Sequence, residues 1–411
     1  MKLNLKKITI LLLVTMLILL NNSFVFATAE KPNIISQAAI LMDSKTEKIL
    51  YAKNENEKMY PASTTKIITA ILTLENCNLD EVVTVSYDAV MSIPEGYSSA
   101  SLQIGEQLTV EQLLQLLLVH SANDAANVLA EYVGGSVESF VSMMNTKIHE
   151  LNLSHTHFTN TFGMHDDNHY TTSQDLATIM KYCLKNKDFR KLAGSASCAI
   201  PATNKYDIRK YNSTNELIIP NNKNYYPFLT SGKTGYTSQA GDCLVSCSYK
   251  DDLELICVIL GGKTVNGIST RFSETKTLYE YGYNNYSIKT ILNANDIVTQ
   301  IEIPNGTKDT KNLGLLANST IRTLLENNIL ENELTPKINI KENMKAPIEQ
   351  GDNLGSISYT IDEVEYKSDL IASHSVEKSK LVNYLVKIGI GILILTLMIK
   401  ISFHRKKKKI I

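Results

Sequence analysis

Apolar and polar positions alternate along the chain in two periods, and each stretch predicts an element. Ala38–Met42 and Ile49–Ala52 are apolar runs around the polar Asp43–Lys48, the pattern of a β-hairpin. Ile67, Ile68, Ile71, Leu72 and Leu74 recur with helical spacing, so a helix follows Pro61 with one face in a core. Val82–Val85 is a short strand. Val110–Val119 is too continuously apolar for a surface helix and predicts a buried one. A new helical pattern begins directly after His120–Asp124, and Val137–Leu151 forms another helix with Ser136 as N-cap. Thr172–Leu184 is helical. Cys243–Tyr249 and Leu253–Leu260 are strand-like runs joined by a polar turn, expected at the antiparallel edge of a sheet, with Lys233 and Thr234 on a preceding strand. Phe272–Tyr283 is a helix that closes a first domain. Beyond Tyr286, alternation at Ile338 and Ile340, and at Ile357, Tyr359 and Ile361, predicts a small all-β domain.

The two ends change the picture. Lys2, Lys6 and Lys7 precede an apolar stretch, Ile8–Leu20, with small residues at Ala27 and Ala29, the layout of a cleaved secretory signal. Near the C-terminus, 382–403 is apolar apart from Lys387 and Lys400 near its two ends, where lysines can snorkel, and 404–411 is basic. That order predicts one membrane-spanning helix with its basic end in the cytoplasm and the body of the protein outside. The expected organisation is a signal peptide at 1–29, a catalytic domain at 30–284, an all-β domain at 285–372, a linker at 373–381, the span at 382–403 and the tail at 404–411.

Composition excludes more than it assigns. Across 411 residues the net charge is −1 with 20% charged residues, so nothing draws the chain as a whole toward nucleic acid. Cys77, Cys183, Cys198, Cys243, Cys247 and Cys257 show no metal spacing and read as mostly buried small hydrophobes. Cys243 and Cys247 share a predicted strand and would lie ~13 Å apart, too far to bridge. His155, His157, His165 and His169 lack the helical spacing of metal ligands, so neither metal nor cofactor is expected.

Candidate chemistry begins at Ser63-Thr64-Thr65-Lys66. A Ser and a Lys three apart share a helix face. In the first turn after Pro61, unpaired N–H groups and the positive dipole end would favour an oxyanion, and a neutral lysine would take the serine proton. Ser273–Lys276 and Ser375–Lys378 repeat the spacing but read as solvated surface. Ser121 and Asn123 stand at the corner between two buried helices, where local rules favour their capping a helix and a cleft lining is the alternative. In Lys233-Thr234-Gly235, the glycine on the strand would let a ligand backbone approach closely.

Ser63-x-x-Lys66, Ser121-x-Asn123 and Lys233-Thr234-Gly235, in that order, resemble the penicillin-recognising serine acyl-transferases. Pro61–Lys66, Ser121–Ala126, Asn160–Tyr170 with Asp175, Lys233–Thr237 with Ala240-Gly241, and Ala346–Ile348 with Gly351, Asp352 and Gly355 resemble the low-molecular-mass D-alanyl-D-alanine carboxypeptidases. The resemblance implies an α/β (α+β) catalytic domain of the β-lactamase/transpeptidase type, with an antiparallel sheet flanked by helices. It implies a peptidoglycan stem peptide ending in D-Ala-D-Ala as substrate, and β-lactams as covalent inhibitors. Ser63 would be the nucleophile and Lys66 its base. Ser121 would protonate the departing amine, and Asn123 would orient Lys66 and the substrate amide. Lys233 and Thr234 would hold the terminal carboxylate as a charged clamp, and the Ser63 and Tyr236 N–H groups would form the oxyanion hole. Two positions depart from the pattern: Tyr236 follows Gly235 where many relatives have histidine, and the carboxylate-binding arginine that some relatives carry near Thr214 is not evident.

A serine β-lactamase would share the three motifs, but Asn160–Tyr170 lacks a Glu-x-x-x-Asn pattern for its deacylating base. A transpeptidase or endopeptidase would share the acyl-enzyme, because the acceptor leaves no mark in the sequence. A membrane-tethered sensor would need more cytoplasmic chain than 404–411 supplies.

Overall fold

The structure, a computed structural model, describes residues 30–407. The predicted signal peptide at 1–29 lies outside the described residues. The described chain divides into two units, at Tyr286 and Ser287.

In the first unit, β1 (Ala38–Asp43) and β2 (Ile49–Lys53) form the predicted hairpin. A 3₁₀ turn at Ala62–Thr65 leads into the Lys66–Asn76 helix. Two small antiparallel pairs follow: β3 (Val82–Thr84) with β4 (Gln107–Thr109), and β5 (Ser197–Ile200) with β6 (Arg209–Asn212). Three long strands come next, β7 (Leu229–Thr237), β8 (Gly241–Lys250) and β9 (Leu253–Gly262), and a short antiparallel pair, Thr264–Val265 with Ile268–Ser269, follows them. The main sheet runs β2-β1-β9-β8-β7, antiparallel throughout. The two apolar strands expected at an edge, β8 and β9, are therefore interior, and the edges are β2 and β7.

Both faces of that sheet are covered, which explains the unbroken apolar run in β9. Ile256, Val258 and Leu260 join the core formed with the helices Lys66–Asn76, Asn123–Gly134, Val137–Glu150 and Ser173–Cys183. On the other face lies the Thr270–Asn285 helix, with buried Leu278 and Tyr279. Thr109, Ser136 and Thr172 cap their helices through their side chains. Five of the six cysteines are buried, and all six are free.

The predicted buried helix is real but not uniform. Val110–Gln115 is α-helical, and Leu116–His120 widens into a π turn. Such turns recur at functional sites. This one ends on Ser121 in a left-handed conformation, φ 65°. The strain costs about 1–2 kcal/mol. Leu113, Leu114, Leu116, Leu117 and Leu118 are all buried. Each contributes about 1.5–3 kcal/mol, so packing outweighs the strain.

The second unit holds a five-stranded antiparallel sheet in the order Ile297–Glu302, Asn312–Ala317, Val364–Ala372, Asn353–Ile361, Lys337–Ile340. Its core includes Leu313, Leu315, Ile357 and Leu370. Lys337–Ile340 is a strand as expected, with Ile338 and Ile340 exposed at the sheet edge. The predicted linker at 373–381 does not run free. Val376 is buried in the β core and its backbone pairs with Ile348.

A helix spans Lys380–Lys407. Within it, Tyr384–Ile401 is long and apolar enough to cross a membrane and is not buried by the protein. The predicted span at 382–403 falls inside this helix. Part of the predicted basic tail continues it, and 408–411 lie outside the described residues.

Candidate active site

Ser63 sits in the 3₁₀ turn rather than the first α-helical turn predicted for it. Ala62 before it is left-handed, φ 47°. Two glycines press on this turn from either side. A Cβ on Gly163 would lie 1.8 Å from the Ala62 carbonyl oxygen, and one on Gly235 would lie 2.9 Å from both the Pro61 oxygen and the Ser63 nitrogen. Gly235 was expected to admit a ligand backbone. The structure gives it another reason, because the turn carrying Ser63 packs directly on the strand.

Lys66 follows on the first turn of the α-helix and is fully buried. Its Nζ lies 2.9 Å from Ser63 Oγ and donates to Asn123 Oδ1 at 2.6 Å and to the Phe162 carbonyl at 3.0 Å. Burial, and then the nearby Lys233, drive its amine well below the ordinary lysine value, against an opposing pull from Asp124. Burial penalises the charged form, so the amine is held ready as a base.

Ser121 and Asn123 do not cap the helix. Ala122 is the N-cap residue, and no side chain caps it. The π turn and left-handed Ser121 turn both side chains toward the lysines instead. Lys233, on edge strand β7, donates to Ser121 Oγ and to the Thr234 carbonyl, each at 2.9 Å. Each lysine thus pairs with one serine, Lys66 with Ser63 and Lys233 with Ser121. Lys233 was expected to be a fixed cation. Burial, and then Arg271, lower its amine from the ordinary lysine value to about 7. Thr234 Oγ1 lies 2.6 Å from Thr214 Oγ1.

Ser63, Asn123, Phe162, Gly163 and Tyr236 line a cleft of about 300 Å³, with Tyr97 and Ser98 among the other lining residues. Tyr236 is 63% exposed, so its ring projects outward. The loop bearing Tyr97 is fastened by Asp124, whose carboxylate accepts from Ser99 Oγ and from the Ala100 and Leu102 N–H groups. Among the described residues no cluster of His, Cys, Asp or Glu could hold a metal ion.

Of the predicted site residues, Ser63, Asn123 and Tyr236 line the cleft, Lys66 bonds to the first two, Gly235 packs against the Ser63 turn, and Lys233 bonds to Ser121 and the Thr234 carbonyl. Several contributors carry no sequence signal. The Phe162 carbonyl is main chain. Arg271, which donates to the Gly235 carbonyl at 2.9 Å and pairs with Asp242, reaches the site from the Thr270–Asn285 helix. Gly163 stood in a loop rich in turn formers, without a reason of its own.

A family model described as D-alanyl-D-alanine carboxypeptidase matches residues 26–264, and one described as penicillin-binding protein 5, C-terminal domain, matches 286–378. The chain is 30% identical to D-alanyl-D-alanine carboxypeptidase DacF of Bacillus subtilis, over 85% of this chain and 88% of that one. It is 29% identical to DacC of Escherichia coli, over 81% and 82%. Crystal structures of penicillin-binding protein 5 from Haemophilus influenzae superpose with a TM-score of 0.64 at 26% identity, covering 85% of this chain and 100% of that one.

Proposed function

The chain belongs to the D-alanyl-D-alanine carboxypeptidase family, and we propose that Ser63 carries its chemistry as an acyl-enzyme formed from peptidoglycan stem peptides ending in D-Ala-D-Ala. The observation that carries this is the buried Lys66 amine 2.9 Å from Ser63 Oγ. The Ser63 hydroxyl proton passes to Lys66 Nζ as Oγ attacks the penultimate carbonyl. The Ser63 and Tyr236 N–H groups hold the oxyanion. The C–N bond then breaks, Ser121 gives its proton to the leaving D-Ala amine and is reprotonated with the proton that Lys66 took from Ser63, and an ester to Ser63 remains. Water hydrolyses that ester and releases the shortened peptide. A β-lactam amide enters the same first step and acylates Ser63.

Lys233 and Thr234 clamp the terminal carboxylate. A charge-assisted hydrogen bond is worth about 1.5–3 kcal/mol, so Lys233→Ala is expected to lower kcat/KM for D-Ala-D-Ala peptides roughly 10–100-fold. The pH profile gives a second check. Lys66 must be neutral, so activity falls as acid protonates it. Lys233 must be charged to clamp, so kcat/KM falls as pH rises through about 7. Lys233→Arg should move that alkaline limb upward. An unmoved limb would remove Lys233 from the clamp.

The body of the protein works outside the cytoplasmic membrane, exported by the signal at 1–29 and held by the Tyr384–Ile401 segment, with the basic residues after it on the inner side. Its length, apolar character and exposure support this reading. Deleting Val382–Ile411 is expected to release an active, soluble protein. Retention with the membrane fraction would show that another segment also anchors it.

A further inference from the structure

A neutral amine has two N–H bonds and one lone pair. Around Lys66 Nζ stand three oxygens, and two of them, Asn123 Oδ1 and the Phe162 carbonyl, only accept. They engage both N–H bonds and leave the lone pair for the third neighbour, Ser63 Oγ. If the Phe162 carbonyl swung away, an N–H would be free to turn onto Ser63 Oγ, and the base would become a donor. The aim of the lone pair thus depends on what holds that carbonyl.

The loop carrying it is organised by Asn160. Its Oδ1 accepts from the N–H groups of Phe162 at 3.3 Å, Gly163 at 2.8 Å and Met164 at 2.9 Å, and its Nδ2 donates to the Met164 carbonyl at 2.9 Å. Behind Asn160 lies His169, 1% exposed, with its ring edge-on to Phe158. Its Nδ1 accepts from the Thr159 N–H at 3.0 Å and faces Asn160 Nδ2 at 3.3 Å. Those donors keep the lone pair on Nδ1, so the proton resides on Nε2. Nε2 donates to Thr65 Oγ1 at 2.9 Å. Thr65 belongs to the same 3₁₀ turn as Ser63.

We propose that His169 is a positioning residue for acyl transfer: as a neutral imidazole it ties the Ser63-bearing turn to the Asn160–Met164 loop, and so aims the Lys66 lone pair at Ser63 Oγ. It touches neither substrate nor Ser63. The charges around it suit that task. Burial, with His157 and His165 adding, lowers it to about 3, while Asp166 opposes. An imidazolium would set a second N–H against the Thr159 N–H. An unfolded imidazole charges near 6.5, so His169 costs the fold stability as pH falls from about 6.5 toward 3. At neutral pH the link is intact.

The proposal rests on Lys66 acting as the base for Ser63. The test is the acylation rate of the full chain by a fluorescent penicillin between pH 5 and 9, with the labelled residue identified by mass spectrometry. His169→Ala is expected to slow acylation at least tenfold. It should also move the acid limb up by about one pH unit, because a displaced carbonyl lets water reach and charge Lys66. His169→Asn, whose amide oxygen can accept where Nδ1 does, should recover most of the rate and bring the limb back. A merely structural histidine would change the amplitude and leave the limb in place, so a folded His169→Ala with an unmoved limb overturns the proposal. If His169→Ala does not fold, Thr65→Val decides by the same limb, since it keeps the shape and removes only the hydroxyl. Label found on the wild-type chain at a residue other than Ser63 would remove the underlying assignment instead.

Discussion

Ser63→Ala is expected to abolish both D-alanine release and covalent penicillin labelling while leaving the fold intact. Loss of a serine nucleophile costs on the order of 10⁶-fold in kcat in a well-studied hydrolase, because the remaining groups have nothing to activate. The structure gives the same expectation here. Lys66 is buried with its amine already surrounded by Asn123, Phe162 and Ser63, so no second hydroxyl stands in line to replace Ser63. Ser121 belongs to the other lysine. The side chain lost is small and half-buried, so melting temperature should barely change. Labelling of Ser63→Ala at a wild-type rate would mean that another residue is the nucleophile.

The second large effect is steric. Gly163→Ala is expected to reduce acylation at least ~100-fold without removing any reacting group. The new Cβ would fall 1.8 Å from the Ala62 oxygen, 2.2 Å from its carbon and 3.0 Å from the Ser63 nitrogen. All three are backbone atoms, so the Ser63 turn itself must shift. A misplacement of about 1 Å at reacting atoms costs on the order of 100-fold. Gly135→Ala provides the control. It has the same kind of left-handed backbone, φ 77°, but nothing within 4 Å of the added Cβ. It should lose about 1–2 kcal/mol of stability and keep its acylation rate. Equal activity in the two variants would show that the contact between Gly163 and Ala62 does not govern the site.

These two cases mark what was legible in the chain. Ser63, Lys66, Ser121, Asn123, Lys233 and Thr234 were readable because their chemistry resides in side chains at fixed spacings. The hairpin, most helices and the strands around the Lys250–Asp252 turn followed from apolar periodicity. The Phe162 carbonyl could not be read, since every residue has one and only the fold aims it. Arg271 reaches the site from a distant helix, and nothing local in the sequence points there. His169 was weighed as a metal ligand and otherwise only as part of the Asn160–Tyr170 loop, because its partners Thr65 and Thr159 come together through tertiary packing. Ser121 and Asn123 read locally as caps. Packing of the leucine-rich helix paid for a π turn and a left-handed serine, which no propensity rule anticipates. The 373–381 segment looked like a linker because its deeply buried apolar residue, Val376, makes no periodic pattern.

The most direct test of the central assignment is D-alanine release from a synthetic pentapeptide ending in D-Ala-D-Ala, using the chain truncated before Val382, with and without penicillin treatment. The expected result is release of one D-alanine per peptide, a tetrapeptide product, and loss of activity in step with penicillin bound to Ser63. Rapid penicillin hydrolysis without D-alanine release would contradict the assignment and mark a β-lactamase. Stable labelling of Ser63 without release would equally contradict it, leaving acyl transfer to an amine, or binding alone.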